Sequence, residues 1–401
     1  MKKIILAMIV ILGILSAGCI SNGDNGGDTP VVELVYMSGC GNMPSALSND
    51  LIDAYIAWQP NVAIAEVAEI GKVISYSRDL PPEGKWHDHP CCVINVSEGF
   101  AEENYDVAKY LTMLLILASD YTQENPEMAA QAAAQWIFAN QDLTFGDKVV
   151  NSLDIERASL PTINFTTIPS QEWKDGLYTF VNSLEEIEMI DNELKGKTNE
   201  ELEDILLHDS LYEDAMMSLS SGDYLDSTPD VDGVVNVNLG YLAKDDHDTA
   251  LFVAAYEWEY FRDEFGIYFE PINIGPLGTY DLVVNGTTVA RVKALEFNGG
   301  SAEMTALSQG NVDFGLAGAP PVILFMDQGA PVKIICPLMT EGSGVVASLD
   351  ATYDDWDGFV DFIKDSYENG KTIKIGVPML GSIQDVMLKY SLRESGIEFQ
   401  T

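Results

Sequence analysis

The densest run of reactive side chains in the chain is His87-x-His89-x-Cys91-Cys92. Two imidazoles and two thiols so close together are the donor types that hold Zn²⁺ or iron. Alternate residues on a strand share a face, however, and the adjacent Cys91 and Cys92 would point opposite ways. All four donors could converge only from an irregular loop. Buried strand cysteines are therefore favoured, and no metal or cofactor is assigned. Ser343, in Glu341-Gly342-Ser343-Gly344, lacks the G-x-S-x-G spacing of a nucleophile elbow. No phosphate loop or dinucleotide fingerprint occurs. The paired acids Glu185–Glu186 and Glu200–Glu201 lie in strongly charged helical stretches and read as solvated faces. What remains for chemistry is a set of Gly-rich turns at strand ends. Helix starts there expose free backbone N–H groups, which suit an anion or a polar acceptor.

The elements that carry those turns belong to a chain of 401 residues, long enough for more than one core. Hydrophobic residues make up 47%, which excludes wholesale disorder. Lys and Arg number 21 against 63 Asp and Glu, a net charge of −42. Such a surface repels phosphate backbones and anionic lipid heads, so no nucleic-acid partner is expected. Four His and five Cys leave little for several metal sites and show no disulfide framework.

Lys2 and Lys3 precede a short apolar run, Ile4 to Leu15, and then Ser16-Ala17-Gly18-Cys19. The run is too short to span a bilayer and reads as a signal-peptide core. The segment resembles a lipoprotein signal, with Ser16 where the pattern usually has Leu. Residues 1–18 would be removed and Cys19 would carry lipid; an ordinary secretory signal is the alternative. Residues 19–30 read as a flexible tether. The expected product is an extracytoplasmic monomer, lipid-anchored to the outer face of the cell membrane.

Sliding the chain over itself by 260 positions exposes a repeat. Val31 to Pro60 and Arg291 to Pro320 share Val32/Val292, Gly39/Gly299, Ala46/Ala306, Leu47/Leu307, Ser48/Ser308, Asp53/Asp313, Ala57/Ala317 and Pro60/Pro320. Both read strand, Gly-rich turn, short helix, strand, which predicts parallel α/β units. Val234–Leu242 supplies a first strand for one lobe, followed by a helix over Thr249–Phe265 that ends at Gly266. Thr372–Val377 supplies the matching strand of a second lobe, with Ser382 and Asp385 opening its helix as a capping box. The strand expected next is missing there, while Val31–Met37 stands unclaimed at the other end. The order therefore predicts a circular permutation cut within lobe two. Lobe two would comprise 349–401 and 31–88, lobe one 234–348 with helices from 89–217, and 218–233 would link the ancestral termini.

In the rejoined order the chain resembles the nitrate/sulfonate/taurine-type substrate-binding proteins of ABC transporters, relatives of the thiamine-pyrimidine synthases. Ala306–Pro321, Gly329–Ile335, Ile375–Ser382, Ile52–Pro60 and His89–Ser97 carry the resemblance. It implies an α/β, two-lobed type II periplasmic-binding-protein fold, each lobe a mainly parallel sheet flanked by helices. It also implies a non-enzymatic protein that closes on a small molecule and delivers it to an ABC permease and its ATPase. Open α/β sheets bind ligands at the carboxyl ends of their strands. The candidate ligand residues are therefore Tyr241, His247, Asn298, Gly299, Gly300, Ser301, Gly318 and Ala319 in lobe one. In lobe two they are Gly381, Ser382, Ser38, Gly39, Cys40, Gly41, Trp58 and Gln59. Those turns carry almost no Lys or Arg, and Glu296 and Glu341 lie near the mouth, which favours a small neutral or aromatic solute. The related synthases use a Cys-rich segment and a His for iron-dependent chemistry, so an enzyme of that type is the alternative. A surface sensor lobe is the third reading.

Overall fold

In the computed structural model, which describes residues 29–226 and 228–401, the chain folds around two large β-sheets. The signal segment, Cys19 and the tether through residue 28 lie outside the described residues. The first elements are β1 (Val31–Tyr36), α1 (Met43–Ser48), β2 (Ala54–Trp58), α2 (Asn61–Val67), β3 (Gly71–Tyr76) and β4 (Cys92–Ser97). A helical tract follows: α3 (Glu98–Glu103), α4 (Tyr105–Glu124), α5 (Pro126–Phe138), the small hairpin β5 (Leu143–Phe145) and β6 (Lys148–Val150), and α6 (Ser152–Ser159). It continues through β7 (Ile163–Phe165), α7 (Gln171–Glu186), α8 (Asn199–Leu206) and α9 (Asp209–Ser221). Then come β8 (Val235–Leu242), α10 (Thr249–Tyr256), α11 (Trp258–Phe265), β9 (Ile267–Asn273), β10 (Thr279–Val284), β11 (Thr287–Phe297) and α12 (Gly300–Ser308). After β12 (Phe314–Gly318), α13 (Ala319–Asp327), β13 (Val332–Pro337) and β14 (Met339–Glu341), the chain runs through β15 (Ser343–Ser348) and α14 (Trp356–Glu368). It finishes with β16 (Lys374–Val377), α15 (Ile383–Glu394) and β17 (Glu398–Gln400).

One sheet has the order β17-β1-β16-β2-β15-β3, and the other, taken from its hairpin side, β9-β10-β11-β8-β12-β4-β13. The two copies of the sequence repeat hold equivalent places: β1 and β11 each lie beside the first strand of their lobe, and β2 and β12 lie on its other side. Each lobe has a parallel trio at its centre, β1-β16-β2 in one and β11-β8-β12 in the other. β1 and β16 pair in register, Leu34 opposite Ile375 and Tyr36 opposite Val377. The two ends of the described chain thus share one sheet.

The sheets are mixed rather than mainly parallel. β15 and β4 each cross from the opposite lobe and run antiparallel to both neighbours. A strand entering from the cleft side starts where its neighbours end, so it must run against them. The antiparallel strands β9 and β10 widen lobe one further, and nothing in the apolar spacing announced them. Three boundaries also move. Residues 343–348 belong to the sheet of lobe two, because β15 pairs with β2 and β3. Within 218–233, the first four residues are still helical, since α9 runs to Ser221 and ends at Gly222 with φ 71°. The helix expected over Thr249–Phe265 breaks at Glu257 into α10 and α11. The helical tract also reaches beyond lobe one, with α6 packed on α2 and α7 on α15.

Two connecting segments, 77–91 and 338–342, join the lobes and run side by side. Pro90 bridges Thr340 in antiparallel fashion. Leu338 N–H donates to Cys92 O at 3.0 Å, and Glu341 N–H to His89 O at 3.3 Å. Within the first of them Trp86, fully buried, packs on Phe180 of α7 and Tyr390 of α15.

Leu34 is buried in the core that β1 contributes to lobe two. Leu34→Ala should cost about 2–5 kcal/mol in urea unfolding. It should also speed amide exchange in 374–377, because the cavity loosens the strand pair that joins the two ends.

Candidate functional site

The turns that follow β16 and β2 in lobe two face those that follow β8, β11 and β12 in lobe one. Between them lies a cavity of 20 Å³, lined from both lobes by Trp58, Leu242, Asp245, His247, Met379 and Gln384 among others. That is room for about one water molecule. The lobes are closed on each other. A much larger concavity of 790 Å³ lies beside the free edge of β3, lined by surface groups such as Glu66, Arg78 and Asp355, away from these turns.

Of the residues singled out in the sequence, Trp58, His247, Gly300, Gly318 and Ser382 line the cavity. The Trp58 indole N–H donates to Lys244 O at 3.3 Å, across the lobes. The Ser382 hydroxyl caps α15 by accepting from Asp385 N–H at 3.2 Å. The box is half made: the Asp385 carboxylate instead accepts from Gly381 N–H, the Tyr36 hydroxyl and Lys389. Several glycines serve closure itself. A Cβ on Gly299 would come within 2.0 Å of Met379 Cε, and one on Gly318 within 3.1 Å of Ile383 Cδ1. A Cβ on Gly39 would come within 3.1 Å of Asn298 O, whereas one on Gly41 would make only an ordinary contact with the Lys244 side chain.

The others divide between the rim and the interior. Ser38, Gly41 and Asn298 are exposed, Ser301 is half-buried in the first turn of α12, and Gly381 is buried in the turn before α15. Ala319 is buried, and its N–H donates to Cys91 O at 2.8 Å. Cys40 is a buried free thiol whose pKa burial pushes well up. Gln59 is committed elsewhere: its side chain accepts from Ala63 N–H and donates to Thr162 Oγ1, and its carbonyl accepts from Asp246 N–H. Tyr241 is displaced from the ligand set. On β8 its neighbour Leu242 faces the cavity, so the strand's period of two turns Tyr241 into the core of lobe one, against Trp136 and Phe252.

The four donors of the His87-x-His89-x-Cys91-Cys92 run, to which the sequence assigned no metal, do not meet as a set. His87 is exposed and lies 3.0 Å from the Asp88 carboxylate. His89 is buried, with Nε2 2.9 Å from Ser77 Oγ. Cys91 and Cys92 do converge, but on His247, whose Nδ1 lies 3.3 and 3.7 Å from their sulfurs. They can share a face because Cys91 precedes β4 and is outside its pleat.

Sequence reasoning passed over the company His247 keeps. Asp245, Asp246 and Asp248 are all buried with it. Asp245 Oδ1 lies 3.2 Å from His247 Nδ1, Asp246 accepts from the Ser159 hydroxyl, and Asp248 accepts from Leu242 N–H at 2.7 Å. Burial lifts the Asp245 carboxyl to about 7 and that of Asp246 to about 6. Burial by itself would depress His247, but Asp245 and Cys91 outweigh it and hold the ring charged up to about 10. Burial likewise works against a Cys91 thiolate, yet Cys92 and His247 bring its pKa well below the usual thiol range. The available signal was five ionisable residues in a row, Lys244 to Asp248, between an apolar strand and an apolar helix.

Fold and cleft together define a two-lobed α/β fold of the periplasmic-binding-protein type. The model of the NMT1-like family matches residues 20–138 and 232–401, and the chain belongs to that family. The family lies within the nitrate/sulfonate/taurine-binding superfamily, and its members are typically extracytoplasmic solute-binding proteins of ABC importers, generally binders rather than enzymes. The interval without a match, 139–231, carries α6 to α9. Over 109 residues, 27% of this chain and 73% of the relative, it is 35% identical to "Uncharacterized protein MJ1180" of Methanocaldococcus jannaschii. No solved structure matches the chain. No helix among the described residues is long and apolar enough to cross a membrane.

Glu303, fully buried behind the cleft, has neither carboxylate oxygen hydrogen-bonded to another described side chain, and burial raises its pKa well above the ordinary 4.5. The folded carboxyl keeps its proton where the unfolded chain has lost it, so stability falls as pH rises above that ordinary value. Glu303→Gln should unfold like the parent near pH 4. By pH 7 the variant should be the more stable in thermal unfolding followed against pH. Its advantage should grow by about 1.4 kcal/mol for each pH step of one above the ordinary carboxyl value, until the folded carboxyl itself ionises.

Proposed function

We propose that this chain is the solute-capturing subunit of an ABC importer, taking a small molecule between its lobes and passing it to a membrane permease. The observation that carries the proposal is the cavity enclosed by strand-end turns of both lobes. A hinge that opens these turns would admit the solute, and closure would bury it. The cavity's lining favours a small neutral or aromatic solute. Trp58, Leu242, Met379 and Ile383 are apolar, Ser382 and Gln384 offer hydrogen bonds, no Lys or Arg takes part, and the one cationic group of the lining, the His247 ring, already faces the Asp245 carboxylate at 3.2 Å.

On this proposal Cys19 carries the lipid that holds a monomer at the outer face of the membrane. The strand pairing of β1 with β16 supports a circular permutation cut within lobe two. Lobe two then comprises 343–401 with 31–88, and lobe one is built on 89–342.

The test is a thermal-shift screen of neutral and heteroaromatic solutes, followed by small-angle scattering of the best one. A true solute at a hundred times its Kd should stabilise the protein by about 2.7 kcal/mol. It should also shift the scattering toward the compact form. Trp58→Ala should weaken that solute roughly tenfold through the lost ring contact. Flat responses across the set, with unchanged scattering, would remove the support for this solute class.

A further inference from the structure

We infer that Cys91, Cys92 and His247 form a binding site for one thiophilic divalent metal ion, of which zinc is the reference case. Their three donor atoms lie within 4.8 Å of one another, and all three residues are buried. His247 Nε2 lies 2.9 Å from Gly342 O. A carbonyl oxygen only accepts, so Nε2 carries its hydrogen and Nδ1 is the atom turned toward the two sulfurs. Metal-bound histidines are held in this way, by donating the far ring nitrogen to a carbonyl or carboxylate. Gly342 makes the approach feasible: with φ 76°, a Cβ there would stand 2.5 Å from Nε2. Asp245, 3.2 Å from Nδ1, adds a carboxylate whose charge suits a cation beside two thiolates.

The donor types select the metal. Two thiolates and an imidazole suit zinc and other soft or borderline ions, and disfavour magnesium and calcium. The ion would replace the proton that Nδ1 now shares with its neighbours. All three ligands belong to lobe one and its hinge, whereas a transported solute would be gripped by both lobes. The ion is therefore resident rather than cargo. Cys92, His247 and Asp245 also line the closed cavity, so a fourth coordination position would face it. The inference goes beyond solute capture and does not rest on it.

The experiment uses the purified chain under reductant, stripped by chelator, loaded with Zn²⁺ or Co²⁺ and dialysed. Elemental analysis should find about one ion per chain in the parent and less than about a tenth in Cys91→Ser/Cys92→Ser. The cobalt form should show sulfur-to-metal charge transfer and the intense visible bands of tetrahedral geometry. X-ray absorption of the zinc form should show two sulfurs at about 2.3 Å and one imidazole nitrogen at about 2.0–2.1 Å. The spectra need no variant, so they decide the matter even if the double serine chain does not fold. Equal metal in parent and a folded variant would place the ion on surface carboxylates and overturn the site. So would an oxygen-only cobalt spectrum, or a Cys91–Cys92 disulfide in the protein as isolated. The solute screen run on stripped and loaded protein separates the two ideas: metal without solute response fails only the importer reading, and the converse fails only the metal site.

Discussion

The two lobes depend on one strand exchange. Segments 77–91 and 338–342 run antiparallel beside each other, and each delivers a strand into the opposite sheet. Because the crossings go in opposite directions, β4 and β15 both begin at the cleft. That geometry sets Cys91 and Cys92 on one side of the cleft floor and Gly342 on the other, with the β8 to α10 turn between them. The mixed character of both sheets has the same origin.

Closure is written in the protein's own contacts. Met379 lies on Gly299, Ile383 on Gly318, and Trp58 donates to the backbone of the facing lobe. At Gly299 and Gly318 a side chain would force Met379 and Ile383 of the facing lobe to shift. The helices α6 and α7 add contacts from the helical tract to lobe two. On the proposed function, opening would break these while keeping the connecting ribbon, a motion about a few residues rather than unfolding of either sheet.

The interior chemistry runs against the exterior. A chain of net charge −42 exposes acids wherever water can solvate them, yet Asp245, Asp246, Asp248 and Glu303 are buried. Burying an unpaired carboxylate costs far more than any surface repulsion, so the group is either neutralised or paired. Backbone N–H groups of His247 and Leu242 and the Ser159 hydroxyl pair three of them. The charged ring of His247 offsets part of the remaining cost. Titratable groups displaced this far cluster where proteins bind or react, and here Asp245 and His247 line the cavity between the lobes.

Local pattern by itself determined much of this protein. The repeat, the strand ends and the Gly-rich turns are legible because strands, helices and turns each impose a period or a residue type on a short stretch. The rejoined order of strands followed from the same patterns, since each lobe must complete a sheet. Only the tertiary structure decided which side of β8 faces the cleft, and so moved Tyr241 inward and left Leu242 at the wall. It alone brought His247 to Cys91 and Cys92, far away in sequence, and drew the DDHD run out of water. The physical reason is range: backbone preferences act over a few residues, whereas burial and donor convergence depend on strands that cross between lobes.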